Sequence, residues 1–458
     1  MSTAGAGASV GGSSVGSPSA DGERPTGDVL AQLAARAGER PAGVSWFVPG
    51  RIEVLGKHTD YASGRSLLAA VDACHTVTAR AREDRTLRVR SQTADGEVVL
   101  DLDDPSSTLD PSGAPADLPA GHWGGYVRTV AARLAANFPG RLRGADVEIT
   151  STLPLAAGMS SSSALVVGLA LALIDLAGLA ADPAFTAEIT TPEQLGEYLG
   201  TVENGQSFGS LRGERGVGTF GGSEDHTAML CGEADALVQY AFCPVRRERV
   251  VAFPDDLALV VAVSGVEAAK TGAARDDYNR VSLAVTEILR RWREDTGRED
   301  ATLADAVASG PTATSRLREL VVGEGAAGAG SDGYLRGRLE QFLAESERLV
   351  PAAALALEEG DLAEFGRLVD ESQAGAEQGL RNQVPETVAL QRLARRLGAA
   401  AASAFGAGFG GSVWALVPRE SAEDFATRWL AAYREEHPGR EHATTAVTGP
   451  GGAARRVG

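Results

Sequence analysis

The stretch from Ala145 to Ala181 constrains the fold of this chain more than any other. It opens on an alternating run, Ala145–Ser151 (ADVEITS), which reads as a strand. It continues through Pro154, Gly158, Met159 and four consecutive serines, Ser160, Ser161, Ser162 and Ser163. It ends in an unbroken apolar run over 164–181, interrupted only by Asp175 and glycines, so a buried helix accounts for it better than a membrane span. A helix apolar all round has to be enclosed. A chain of 458 residues, 43% hydrophobic and 23% charged, can bury the core that encloses it. Dividing that length by about 150 residues per domain gives two to three domains.

The serines sit where the strand hands over to the helix. The first N–H groups of a helix lack internal partners, and the macrodipole adds partial positive charge there. Serine hydroxyls at that point complete an anion site suited to a nucleotide phosphate. The plainer account is a serine N-cap. One serine serves as a cap, so four after a glycine exceed that need. No G-x-x-x-x-G-K-[ST] occurs, which disfavours an ordinary P-loop kinase.

Lys and Arg number 43 against 61 Asp and Glu, a formal charge of −18. That field repels phosphate backbones and anionic lipid, so neither nucleic acid nor a membrane surface is expected as a partner. Three widely spaced cysteines give neither a disulfide framework nor a zinc pattern, and they fit a reducing cytoplasm. Residues 1–27, rich in Ser, Gly and Ala, read as a disordered tail without the pattern of a secretory signal. Residues 448–458 read as a second, flexible tail. The interior divides into lobes over 28–245 and 246–447.

Elsewhere, strands are expected over 44–55 (two, around a Pro-Gly turn), 66–81, 86–91 and 257–263. Helices are expected over 123–138, 193–203, 278–294, 335–349, 351–359 and 386–397. Gly-rich loops are expected over 206–222 and 323–333, and 403–417 passes from a Gly-rich turn into a strand. Strands and helices alternate without a strict βαβ rhythm, which favours an α+β, two-lobed molecule over a doubly wound sheet.

Three further motifs carry chemistry. Residues 49–61 (PGRIEVLGKHTDY) crowd Arg51, Lys57, His58 and Asp60 beside an apolar strand; sugars need such donor and acceptor clusters, although a solvated turn also fits. Residues 221–226 (GGSEDH) set a Gly-Gly turn before acids. A helix with acids in its first turn explains this, but an Asp beside a transferring phosphoryl is also the usual group that positions or accepts the proton. Residues 403–412 (SAFGAGFGGS) carry Gly406, Gly408, Gly410 and Gly411, which let backbone approach a ligand. The loop leads into a strand, so the dinucleotide fingerprint fails its context test.

These four motifs, in this order and at this spacing, resemble the galactokinase branch of the GHMP kinase superfamily over about residues 45–417. The HTDY motif with its preceding PGR points to that branch over mevalonate or homoserine kinases. The resemblance implies two α+β lobes with an interlobe active site, ATP and Mg²⁺ as cofactors, and a small-molecule sugar phosphorylated at its anomeric hydroxyl. Pro154, Gly158, Met159 and the four serines would hold ATP. Ser162, with Ser161 adjacent, and Glu203 resemble Mg²⁺ ligands. Asp225 and Arg51 resemble the catalytic pair. Lys57, His58, Asp60, Gly222 and Tyr278 occupy sugar-contacting positions, and the 406–411 glycines would close the pocket. A monomer in the cytoplasm is expected. The other readings are a kinase of the same superfamily for another small alcohol, a non-catalytic sugar- and ATP-binding regulator, and a carbohydrate-binding module.

The chain departs from the family in four places. Lys57 stands where relatives carry a sugar-contacting Glu. It is one of only two lysines, and the other, Lys270, also falls near an expected site segment. A charge reversal at that position predicts a substrate bearing a carboxylate or lacking the C6 hydroxymethyl group. Residues 380–385 (LRNQVP) replace an acidic stretch, Ser163 replaces an Ala, and residues 207–219 are extra.

Overall fold

The structure is a computed structural model that describes residues 28–36, 38–109, 115–116, 118–119, 121–153, 158–266, 274–322 and 331–458. The 1–27 tail, Pro154 and Lys270 lie outside the described residues, as do 323–330 of the expected Gly-rich loop.

The larger sheet is built on two long antiparallel strands, Gly43–Leu55 and Arg65–Ala81. Outward from the second run Ala145–Ser151, Thr86–Ser91, Ala94–Asp101 and Asp104–Leu109. Thr86–Ser91 lies parallel to Ala145–Ser151, an exception in an otherwise antiparallel path. Pro49 and Gly50 make no turn. They sit inside one 13-residue strand, whose register shifts between Pro49 and Arg51. Gly50 is needed for close approach, because a Cβ there would lie 2.5 Å from the Leu153 side chain.

The serine helix, Ser161–Ala177, packs on this sheet, and every residue from Ser163 to Ala177 is buried. Each Leu or Val so enclosed contributes about 1.5–3 kcal/mol. Gly178, in the left-handed region at φ 64°, ends the helix. Asp175 on this helix is not a surface charge. It accepts from Trp46 Nε1 at 3.0 Å and pairs with Arg456 through contacts of 2.9 and 2.5 Å.

The smaller sheet runs in the order Ala401–Phe405, Ser412–Pro418, Leu257–Val263, Thr444–Thr448, all antiparallel. One face packs under helices Pro385–Arg396 and Ala422–Glu436 through Leu390, Phe425 and Trp429. The other face, with Leu259, Val261, Trp414 and Leu416, joins the same apolar core as the serine helix and the larger sheet. The two halves therefore share a continuous interior.

Two expectations about boundaries are corrected. The division at 245/246 falls inside a hairpin. Ala236–Ala241 pairs with both Arg65–Leu68 and Arg246–Ala252, so the latter strand belongs to the first sheet. The 448–458 segment is not a flexible tail. Pro450–Gly451 pairs with Val71 and Ala70, and Arg455–Arg456 pairs with Phe47 and Trp46. Its anchorage is backbone pairing, the Arg456–Asp175 pair and Ala454 buried in the main core, none of which its composition reveals.

The elements expected from the sequence keep their type with ends displaced by a few residues, but strands Ala94–Asp101, Asp104–Leu109, Ala236–Ala241 and Arg246–Ala252 and helices Val29–Ala34, Pro183–Glu188, Leu303–Ala308 and Ala313–Leu320 were not expected. The helix expected over 335–349 is Ser331–Ala344 continued by a π-helical turn, Glu345–Leu349. Helices Leu362–Gly375 and Ala422–Glu436 and strand Thr444–Thr448 were not anticipated.

Candidate active site

A narrow cleft of about 50 Å³ opens where the two halves meet, lined by residues from all four motifs, the serine motif contributing Ser163. Arg51 rises from the strand Gly43–Leu55 and is 2% exposed. Its Nε donates to Asp225 Oδ1 at 2.7 Å and its Nη1 to the Gly158 carbonyl at 2.6 Å. Asp225 stands on the first turn of helix Glu224–Cys231. Its second oxygen accepts from the Ser160 hydroxyl at 2.5 Å and from Ser163 at 3.2 Å. The serine turn and the carboxylate are thus in direct contact, although 62 residues separate Ser163 from Asp225.

Ser160 adopts the left-handed region at φ 56°, and its side chain makes no capping bond. Its hydroxyl is turned to Asp225 instead, so the first N–H groups of Ser161–Ala177 are left to an external anion. Ser163 lines the cleft; Ser161 and Ser162 do not. The Ser161 carbonyl accepts from His75 Nε2 at 3.1 Å. Met159 places its side chain in the core, 4% exposed, so only its backbone faces this turn.

The sugar-motif residues meet from both sides. His58 adopts φ 58° and is held by Arg338, which donates Nη2 to its carbonyl at 2.5 Å. The His58 ring lies 3.1 Å from both the Tyr61 hydroxyl and the Ala407 carbonyl, and its centroid is 5.7 Å from that of Tyr278. Asp60 Oδ2 accepts the Glu224 N–H at 3.1 Å. Gly222 is required here, because a Cβ would sit 2.4 Å from that same Asp60 oxygen. Of the 406–411 loop, Gly406 and Ala407 line the cleft. Gly408 instead backs onto Asn382, and Gly411 donates its N–H to Val266. The LRNQVP segment supports this loop: buried Asn382 accepts the Phe409 N–H at 2.5 Å and donates to Ala407 at 3.3 Å.

Lys57 does not line the cleft. It is 1% exposed, and its ammonium donates to Ser372 Oγ at 2.9 Å. Ser372 in turn donates to Glu345 Oε1 at 2.8 Å, the same oxygen that accepts the Gly56 N–H at 2.8 Å. The lysine charge offsets buried carboxylates in the wall and is not presented to a substrate.

Several lining residues were missed from sequence: Glu53, Tyr61, Thr219, Glu224 and His226. Glu53 carried a signal, as an acid beside Arg51 inside the apolar strand RIEVL; Glu224 and His226 read as the solvated first turn of a helix. Glu203, on helix Pro192–Asn204, also lines the cleft, with His226 Nε2 3.1 Å from its Oε1. Among the described residues no three His, Cys, Asp or Glu side chains form a metal cluster.

Burial dominates the electrostatics. It lowers Arg51, but the carboxylates of Asp225, Glu224 and Glu53 outweigh it and hold the guanidinium above its ordinary value. Burial pushes Glu53 up to about 7, against the pull of Lys57 and Arg51. It pushes Glu224 well above the carboxylate range, helped by the adjacent Glu53 and Asp60.

Comparison with known proteins fits this geometry. The galactokinase galactose-binding signature matches residues 32–81, the GHMP kinases N terminal domain 125–205 and the GHMP kinases C terminal region 353–435. A galactokinase of Roseiflexus sp. (strain RS-1) is 29% identical over 390 residues, covering 84% of this chain and 86% of that protein. A galactokinase of Chloroflexus aggregans is 29% identical over 397 residues, with the same coverage. In fold, the chain resembles Lactococcus lactis galactokinase complexed with galactose, at TM-score 0.71 and 23% identity over 94% of this chain and 99% of that one. It also resembles L. major mevalonate kinase complexed with R-mevalonate, at TM-score 0.51 and 16% identity over 89% and 96%.

Proposed function

Because the chain belongs to the galactokinase family of the GHMP kinase superfamily, we infer that it transfers the γ-phosphoryl group of ATP to the anomeric hydroxyl of galactose or a related monosaccharide, giving the sugar 1-phosphate and ADP. The observation that supports this reading is the single contact set at Asp225, which joins Arg51, Ser160 and Ser163 beside the sugar motif.

Phosphoryl transfer needs in-line positioning and neutralisation of charge more than covalent help. The helix start at Ser161 would take the phosphates on its N–H groups. Arg51 is placed to stabilise the transferring group and the ionising hydroxyl. Asp225 would orient the attacking hydroxyl and accept its proton, its two oxygens fixed by the guanidinium and the serines. His58, Asp60 and Tyr278 would hold the ring.

Glu203 and Ser162 are the residues proposed to hold Mg²⁺. A carboxylate and a hydroxyl suit a hard cation that keeps waters and phosphate oxygens as its other ligands, which agrees with the lack of a three-residue cluster among the described residues. When bound, that ion would neutralise the β- and γ-phosphate oxygens. We place the enzyme in the cytoplasm as a monomer without nucleic-acid or membrane partners; no described helix is long and apolar enough to cross a membrane.

Incubation with MgATP and a panel of aldohexoses, pentoses and uronic acids, followed by identification of the phosphorylated carbon, tests the reading. ADP release that depends on a sugar, with phosphate on C1, is expected. Purified protein that ignores every sugar would remove it.

A further inference from the structure

Among the described residues, five carboxyl side chains line the cleft, Glu53, Asp60, Glu203, Glu224 and Asp225, against one permanent cation, Arg51. Three of them have stated roles or partners: Asp225 with Arg51 and the serines, Asp60 with the Glu224 N–H, Glu203 beside His226. Glu53 and Glu224 have no role in the transfer step. Both are buried, 3% and 5% exposed. Glu224 Oε2 accepts the Ser66 hydroxyl at 2.6 Å. Glu53 and Glu224 are neighbours, and burial holds both carboxyls above the ordinary carboxylate range. Glu53 Oε1 is enclosed and accepts from no N–H or hydroxyl donor among the described residues.

A buried acceptor without a donor is costly, and a ligand in the cleft can supply the missing donor. Arg51, Lys57 and Glu345 also face Glu53, and Arg51, Asp60 and Asp225 face Glu224. Lys57 and Arg51 are already engaged, by Ser372 and by Asp225.

We propose that Glu53 and Glu224 form the subsite that reads one ring substituent of the sugar, and that this subsite admits an amino sugar. The substrate ammonium donates to the two carboxyls, and any proton that burial holds on them leaves to solvent. A uronic acid is refused, because its carboxylate would meet two carboxyls while Arg51 and Lys57 are already engaged. This deepens the sugar-kinase reading and rests on it, and it reverses the expectation of a carboxylated substrate drawn from Lys57.

The test compares kcat/KM of the full chain with MgATP on galactose, 2-amino-2-deoxygalactose, 6-amino-6-deoxygalactose, N-acetylgalactosamine and galacturonate, in the wild type, Glu53→Gln and Glu224→Gln. One amine should be used within about tenfold of galactose and galacturonate far less. The amine-to-galactose ratio should fall at least tenfold in each variant. An unchanged ratio in both variants, or galacturonate used as well as the amines, overturns the proposal while leaving the kinase reading intact. A thermal-shift titration of the wild type needs neither turnover nor folded variants. Amines raising the midpoint above galacturonate supports the subsite, and the reverse order overturns it. Loss of all sugar turnover with that order preserved sinks only the kinase reading.

Discussion

At the scale of single residues, the chemistry concentrates on Asp225. Replacing it with Asn keeps the shape but removes the charge that Arg51 and two serines address. We expect kcat to fall by about 10²–10⁴ with ATP affinity retained, as read by steady-state kinetics and nucleotide titration. Equal losses in both would assign Asp225 to nucleotide binding. Glu53 gives a second prediction. Its folded value of about 7 lies above the ordinary 4.5. Between those values the folded chain keeps a proton that the unfolded chain has released, so stability falls as pH rises through that window. Melting temperatures of Glu53→Gln should decline less steeply than wild type between about pH 5 and 8. Asp225, Arg51 and His58 were legible in the sequence because their motifs combine charge with tight turns. Glu224 was not, since an acid in a first helical turn is ordinarily solvated and nothing local reports that Ser66 and Glu53 cover it.

Among the elements, the C-terminal strand pair is the least expected. Arg456 completes a pair with Asp175, whose side chain is 1% exposed near the C-terminal end of the enclosed helix. Arg456→Ala leaves that carboxylate with the Trp46 indole N–H, and breaking a buried pair on one side costs about 3–5 kcal/mol. Urea unfolding should show the loss, while activity per folded molecule persists because the cleft is untouched. A midpoint equal to wild type would mean the terminus is dispensable. Periodicity found the serine helix, the strands at 86–91 and 257–263, and the long amphipathic helix from Ala274. It misread Pro49–Gly50 as a turn, because a glycine needed for the approach of Leu153 looks identical in sequence to one needed for positive φ.

Across the whole molecule, the buried contacts around Lys57 tie the sugar motif to the second half of the chain. Gly56, Lys57 and His58 are gripped by Glu345, Ser372, Gln341 and Arg338. Lys57→Met removes the cation that offsets Glu345 and Glu53, and we expect about 3 kcal/mol of destabilisation. The loss in kcat/KM should appear mainly in the KM for sugar, because the His58 backbone is positioned by the same contacts. A variant as stable as wild type would argue that the carboxyls are already neutral without the lysine.

The type of the elements that carry the site, the four motifs and the family follow from the sequence alone, since strand and helix periods, turn residues and motif spacing are local properties. What the tertiary structure decided is where charged groups point. Lys57 turns into the wall, Glu53 and Glu224 face the cleft, and the last residues join the first sheet. Each outcome depends on partners such as Glu345, 289 positions from Gly56, and desolvation by so distant a segment leaves no trace in the residues beside it.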